Sequence, residues 1–406
     1  MSQAPEPTQP PTQYLTGALD WVGGHAIKTG EVDWPSIRAR TLAMAPAPSS
    51  STDTYPALRF AVQQLGDGNA FILPPGAMDS QVGPGLSAMY PDGLVTYVDA
   101  EGEAAKLGVH TGDVITTSNG KPLTSLNSGV PVGYEGRWGA DFGKGPTYTM
   151  LLKKAGVGKP VEVTIPGKAY TQQVRPTGRM LDLGSAGAGL GIGYINLPID
   201  GGSASYPADN QKIMQNIDAG SKPVCGWIID LRQNGGGDIW SMLAATGPIL
   251  GEGEVGGFLY KDGKRDTWSY RGGKVLWNGQ ERDESKLDGS PFQPKVPGAP
   301  VALLMSRVTE AAGELVIVAF KGRPATRTFG EPTGGGPAFV DHTQLSDDTF
   351  LSVSGAYATD RSGHVYKGRI APDQPVTLDW TLLGQDNDPV IVAAKQWLAT
   401  QTGCKQ

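Results

Sequence analysis

Two stretches of this 406-residue chain leave few folds open. VCGWIIDL (residues 224–231) is an almost unbroken apolar run that passes through RQNGGGD into the helix-patterned IWSMLAATGPIL. VALLMS (301–306) repeats the plan, passing through RVTEAAGE into LVIVAF. Such a run lacks the period-two alternation of a half-wetted strand, so each predicts a strand covered on both faces. Glycines between strand and helix mark a tight strand-to-helix connection. GLGIGYINLPI followed by ADNQKIMQNIDA, with Ile213, Ile217 and Ala219 on one side, predicts a third such unit upstream. Repeated strand–turn–helix units of this kind fold as an α/β sheet with helices packed on it.

The remaining chain divides around that core, residues 168–406. Residues 1–13 are rich in Pro and Gln, with no basic n-region and no apolar h-region, and read as a disordered tail. They look like the start of an exported chain, periplasmic or secreted, from which a signal peptide has gone; a cytoplasmic chain is the plain alternative. Residues 14–80 read as a helical segment. Asp33 is its N-cap ahead of Pro35, with Ile37, Thr41 and Leu42 at helical spacing. Leu58, Ala61, Val62 and Leu65 make a second apolar stripe, stopped by Gly66 or Gly68, and NAFILPP adds a short strand. Residues 85–167 change character: GLVTYV is a strand, EGEAAKLGV a short helix, TGDVITTSNGKPL a strand with an Asn119-Gly120 turn, and VEVTIP closes the unit. This order resembles a PDZ domain, a family that binds peptide ends by adding a strand to a sheet edge.

Composition narrows the function. A net charge of −6 argues against a nucleic-acid partner, and no apolar stretch approaches the length of a membrane span. Cys225 and Cys404 stand far apart with no second ligand nearby, which disfavours a zinc site and a disulfide framework. Cys225 reads most simply as a small buried hydrophobe, and a Cys225–Cys404 bridge in an oxidising compartment stays open.

The glycine turn Asn234-Gly235-Gly236-Gly237 sits between a strand and a helix, where backbone amides can face outward as an oxyanion receptor. A plain tight connection is the bland alternative. The nucleotide motifs G-x-G-x-x-G and G-x-x-x-x-G-K-[ST] are absent from this turn, and GAGLGIG (187–193) runs into a strand rather than a helix.

GWIIDLRQNGGG, PVALLMSRVTEAAGELVIVAF, GEPTGGG and YATDRSGHVYKGRIAPD, with the leader VDWPSIRARTLAMA…DTYPALRFAVQQLGDGNAF, together resemble the C-terminal-processing (tail-specific) serine peptidases. Within that family the likeness is to the bacterial branch related to tricorn core proteases. The resemblance implies a Clp-protease/crotonase-like α/β (α+β) core, a helical N-terminal segment, an inserted PDZ-like domain, a peptide or protein substrate, and no metal or cofactor.

It also implies site positions, and here the chain departs from the family. The nucleophilic serine of T-x-S-x-G-E falls on Ala311, within Thr309–Glu314. The histidine of G-D-G-H falls on Asn69, and the lysine used by another branch falls on Gly336. A tricorn-type glutamate would fall near Tyr366 or Lys367. Alanine has no nucleophile, and asparagine cannot accept a proton at neutral pH. The amides of Gly235, Gly236, Gly237 and Ala312 are the expected oxyanion donors. His25 and His110 read as solvent-facing, His342 and His364 have no partner that would make them a base, Ser306 reads as a turn cap, and Ser352 and Ser354 as packing positions. Three readings follow: a serine endopeptidase lacking its nucleophile (Ser→Ala at 311, with His→Asn at 69), a natural pseudoenzyme that binds peptides without cleavage, or a carrier of a non-peptide ligand, as retinoid-binding relatives are.

Overall fold

The computed structural model of the chain describes residues 10–75, 82–123, 145–154, 158–169, 176–184, 189–199, 203–287 and 289–405. Three helices lead: α1 (Pro11–His25), α2 (Trp34–Met44) and α3 (Tyr55–Gln64). Residues 11–13, expected in the tail, form the first turn of α1, because Pro11 supplies the fixed φ that a first helical position accepts. Residues 1–9 of that expected tail lie outside the described residues. Asp33 caps α2, accepting the Ser36 N–H at 3.2 Å. Leu58, Ala61, Val62 and Leu65 are buried against Tyr14, Leu15, Leu19 and the core residues Leu351 and Val353. The apolar stripe of α3 thus docks the segment on the core, and β1 (Phe71–Leu73) extends the contact by pairing antiparallel with residues 350–352.

The second unit holds β2 (Val82–Gly83), β3 (Leu86–Ala88), β4 (Val95–Val98), α4 (Glu103–Lys106), β5 (Val114–Ser118), β6 (Lys121–Pro122), β7 (Thr147–Lys153), β8 (Val161–Pro166) and β9 (Lys168–Ala169). β3 pairs β4, β2 pairs β9, and β6-β5-β7-β8 form an antiparallel sheet. Asn119 and Gly120 both take positive φ (49° and 73°), the requirement of a tight hairpin turn. Its core is Val95, Val109, Ile115, Tyr148, Met150 and Ile165. Residues 124–144, inside the expected PDZ-like unit, lie outside the described residues.

The six-stranded core sheet has the order β10 (Thr177–Asp182), β11 (Gly191–Asn196), β12 (Val224–Asp230), β17 (Val301–Met305), β18 (Thr326–Gly330), β22 (Gln374–Pro375), parallel except for β10. Every residue of β12 and β17 is buried. One face carries α5 (Tyr206–Asp218), α6 (Ile239–Leu250) and α7 (Ala312–Phe320), which pack on Ile229 and Leu303. The other carries α8 (Pro389–Ala399), on Ile228 and Leu304. Helices on both faces explain why those runs had to be apolar throughout. Cys225 and Cys404 form a disulfide with Cα atoms 5.0 Å apart, fastening the chain beyond α8 to β12.

A second sheet, which the sequence pattern did not disclose, runs through β13 (Gly253–Tyr260), β14 (Arg265–Arg271), β15 (Lys274–Trp277), β16 (Gln280–Glu281), β19 (Ala338–Gln344), β20 (Phe350–Asp360) and β21 (Val365–Tyr366). Gly256-Gly257 hides β13 from a periodicity reading. A Cβ on Gly257 would lie 2.0 Å from the Asp266 carbonyl oxygen, so the close approach of β14 demands glycine. The fold is mixed α+β, and among the described residues no helix is long and apolar enough to cross a membrane.

Candidate active site

The two turns singled out in the sequence meet at the C-terminal ends of the parallel strands β12 and β17. Asn234 joins them. Its Nδ2 donates to the carbonyls of Leu197 (3.0 Å) and Pro198 (3.1 Å), and its own carbonyl accepts the Glu310 N–H at 3.0 Å. Gly313 has to be glycine, since a Cβ there would stand 2.7 Å from both Asn234 oxygens. Thr309 Oγ1 donates to the Leu231 carbonyl and accepts the Ser306 N–H, both at 2.9 Å. Ser306 Oγ donates to the Arg232 carbonyl at 2.6 Å and accepts the Val308 N–H at 3.0 Å. Its proton is committed to the turn, in keeping with a cap.

Ala311 is the N-cap of α7 with φ +46° and ψ −117°, a backbone conformation that residues bearing a Cβ avoid. Glu314 holds it there. Fully buried, its carboxylate accepts the Ala311 N–H at 3.1 Å, the Thr333 hydroxyl at 2.5 Å and the Gly335 N–H at 3.1 Å. A Cβ on Gly236 would lie 3.4 Å from the Ala311 methyl, so the glycine turn passes directly beside position 311. Gly236 and Gly237 take positive φ (135° and 107°), open to glycine alone without strain. The Gly236 N–H is taken by Asn234 Oδ1 at 3.0 Å. Among the described residues the N–H groups of Gly235, Gly237 and Ala312 have no hydrogen-bond partner. Ala312 is the first residue of α7, where the helix dipole adds to the pull on negative charge.

Asn69 reaches the same loop from the N-terminal segment. Its Nδ2 donates to the Gly336 carbonyl (3.1 Å) and to Ser354 Oγ (2.9 Å), while Ser354 Oγ donates to Asp67 Oδ1 at 2.7 Å. Asp67, itself buried, also accepts the N–H groups of Ser354 (2.7 Å) and Asn69 (3.0 Å). Asn69 and Glu314, the residue that holds position 311, therefore bond adjacent residues, Gly336 and Gly335, of one glycine loop. Sequence reasoning read Ser354 only as a packing position and missed Asp67 and Glu314. The last has a signature, the Ser/Thr-x-x-Glu capping box, which alanine at 311 conceals.

The four histidines are exposed; His25 bonds Asp341 (2.7 Å), His342 stacks on Phe350 and His364 meets Tyr366 edge-on. Tyr366 donates to Asp360 and Lys367 to Glu31. Beneath the site, Arg232 is wholly buried between Asp230 (2.6 Å) and Asp388 (2.7 Å). Burial works against its charge, and the two carboxylates reverse this and raise its pKa. Gln233 donates to the Thr96 carbonyl at 2.5 Å and Arg307 pairs with Asp92 at 2.6 Å, so the second unit is fixed to the rim of the site. Among the described residues no three His, Cys, Asp or Glu side chains are placed to hold a metal ion.

Comparison with known proteins accords with this geometry. Residues 191–376 match the family model of Peptidase family S41. The chain is 28% identical over 149 residues to the nisin-resistance protein of Lactococcus lactis subsp. lactis, covering 36% of this chain and 45% of that one. It is 25% identical over 360 residues to the chloroplastic carboxyl-terminal-processing peptidase 2 of Arabidopsis thaliana, covering 84% of this chain and 64% of that one. The chain thus spans less than two thirds of the length of either relative. The structure of the photosystem II D1 C-terminal processing protease superposes with a TM-score of 0.63 over 91% of this chain and 94% of the other, at 20% identity. Over residues 191–376 the chain thus matches peptidase family S41, and its relatives and fold neighbours include C-terminal-processing peptidases.

Proposed function

We propose that this chain has the architecture of a serine endopeptidase that cleaves peptides through an acyl-enzyme, in a form whose nucleophile position carries the methyl of Ala311. One observation carries the reading. A residue with a Cβ is held at φ +46° on a helix N-terminus, beside a glycine turn, with the Gly237 and Ala312 amides unpartnered. A plain connection needs none of this strain; a serine that must reach a carbonyl carbon does.

With serine at 311, its Oγ attacks the scissile carbonyl while the oxygen, becoming an anion, takes hydrogen bonds from Gly237 and Ala312. Each such donor is worth roughly 3 to 4 kcal/mol in the transition state. A histidine at 69 removes the Oγ proton and returns it to the leaving amine. Asp67 and Ser354 lie in line behind position 69 and supply the carboxylate that orients a base. The unit at 85–167 fits a PDZ-like holder of the substrate chain, and its bonds to Gln233 and Arg307 support that role. The disulfide supports a periplasmic or secreted location.

A natural binding protein without hydrolysis has one observation in its favour: Asn69 donates two hydrogen bonds from one nitrogen, which a neutral imidazole cannot do. Hydrolysis of a peptide library by Ala311→Ser, alone and with Asn69→His, separates the two. Cleavage that appears with serine at 311 supports the peptidase, and its rise with histidine at 69 identifies the base position. No cleavage by either variant, together with peptide binding by the parent, supports the binding protein.

A further inference from the structure

A cavity of about 170 Å³ opens between the β3–β4 side of the second unit and the two turns of the site. That volume is far below the 300 Å³ or more of a small-molecule pocket and suits one amino-acid side chain. Its walls include Ala88, Met89, Ile199 and Val308; Gly235 places it at the glycine turn, and Glu310 is the one charged residue among those lining it. Glu310 immediately precedes Ala311, so whatever fills the cavity lies next to the reacting position.

Glu310 is built into place. Its N–H is fixed on the Asn234 carbonyl at 3.0 Å. Gly334 leaves room for its side chain, since a Cβ on that glycine would stand 2.3 Å from Glu310 Cγ and 2.5 Å from Oε1. Apolar walls interrupted by Ser87, Thr96, Tyr97 and Gln233, with one acidic residue among them, match a side chain with an apolar stem and a cationic head.

We infer that this cavity is a specificity pocket for a lysine or arginine side chain flanking the cleaved bond, with Glu310 as the residue that selects the charge. The inference takes its substrate class from the peptidase reading, but it is tested by binding alone. The chain with Ala311 intact is titrated by fluorescence anisotropy with a positional set of labelled peptides carrying lysine, arginine, norleucine or glutamate at each place in turn. At one position lysine and arginine bind about tenfold tighter than norleucine, a preference that shrinks with added salt. Glu310→Gln abolishes the preference and leaves norleucine peptides unchanged. Gly334→Ala, which displaces the carboxylate while keeping its charge, weakens the preference. Equal binding of lysine and norleucine peptides by the parent, a preference surviving in Glu310→Gln, or binding of none of the peptides overturns the inference. Labelling of Ala311→Ser by a serine-directed fluorophosphonate reports separately on the peptidase reading. Labelling without a cationic preference removes the pocket alone, and a cationic preference without labelling removes hydrolysis alone.

Discussion

Removing the Glu314 carboxylate is the most exacting test of how the strained turn is held. Three donors converge on it: the Ala311 N–H, the Thr333 hydroxyl and the Gly335 N–H. Hydrogen bonds to a charged acceptor contribute about 1.5 to 3 kcal/mol each, and a buried donor left without a partner costs about 1 to 3 kcal/mol. The Thr333 hydroxyl can turn elsewhere, but the two backbone donors cannot. Glu314→Ala is therefore expected to cost about 3 to 6 kcal/mol, a large share of the roughly 5 to 15 kcal/mol that holds a domain together. Glu314→Gln is the finer probe. Its single oxygen can keep Thr333 and Gly335, which turns its NH2 toward the Ala311 N–H, donor against donor, for a loss of about 2 to 3 kcal/mol. Urea unfolding followed by the fluorescence of the buried Trp227 and Trp268 reads both variants. In an Ala311→Ser background, Glu314→Gln should also slow probe labelling, because position 311 relaxes from positive φ. A Gln variant as stable as its parent, or an Ala variant costing under about 1 kcal/mol, would show that Glu314 does not hold the turn.

Other expectations follow from the same structure. Gly313→Ala, whose methyl meets both Asn234 oxygens at 2.7 Å, should destabilise by about 1 to 3 kcal/mol and pry the two turns apart, shown by a lowered melting temperature and lost labelling in the serine background. Reducing the Cys225–Cys404 bridge, which spans 179 residues, should lower stability by at most about 5 kcal/mol, with α8 losing amide protection first; unchanged protection there would count against the bridge as the fastening of the C-terminus. Acid should loosen the N-terminal helices before the core. Burial pushes the Glu31 carboxyl up, but hydrogen bonds from Lys367, Lys28 and Tyr357 outweigh this and hold it at about 2, against an ordinary 4.5. Burial likewise raises Asp347, and Ser51, Tyr55 and Thr349 bring it to about 2, against 3.8. Since both are lowered on folding, their stabilisation is complete above about pH 4.5 and is lost as pH falls toward 2. Hydrogen exchange corrected for intrinsic rates should show α1 and α3 losing protection in that window while β12 keeps it.

What could be read from the chain was its local punctuation. The unbroken apolar runs at 224–231 and 301–306, each closed by glycines and followed by a helix, disclosed β12, β17, α6 and α7, because full burial on two faces leaves no other pattern. Asp33 before Pro35 announced α2 in the same way. The β13–β16 meander stayed hidden because Gly256 and Gly257 serve contacts with another strand, so they interrupt the alternation that a strand reading needs. The site divides similarly. The glycine turn is legible from its place between strand and helix, and position 311 only through the resemblance to the family's T-x-S-x-G-E turn, whereas the Asp67–Ser354 bond joins residues 287 apart and follows only from the docking of the N-terminal segment on β20. Gly236 shows the limit of a motif: three glycines suggest three equivalent donors, yet Asn234 occupies one of them.

In the proposed peptidase, position 311 is the seat of a nucleophile facing an oxyanion cradle. The most direct measurement is the intact mass of the Ala311→Ser, Asn69→His variant after exposure to a fluorophosphonate, with the modified peptide then sequenced. One phosphonyl adduct is expected, on the residue at 311, with none on the parent chain. An unmodified variant, or an adduct on Ser306 or Ser354 instead, would contradict it.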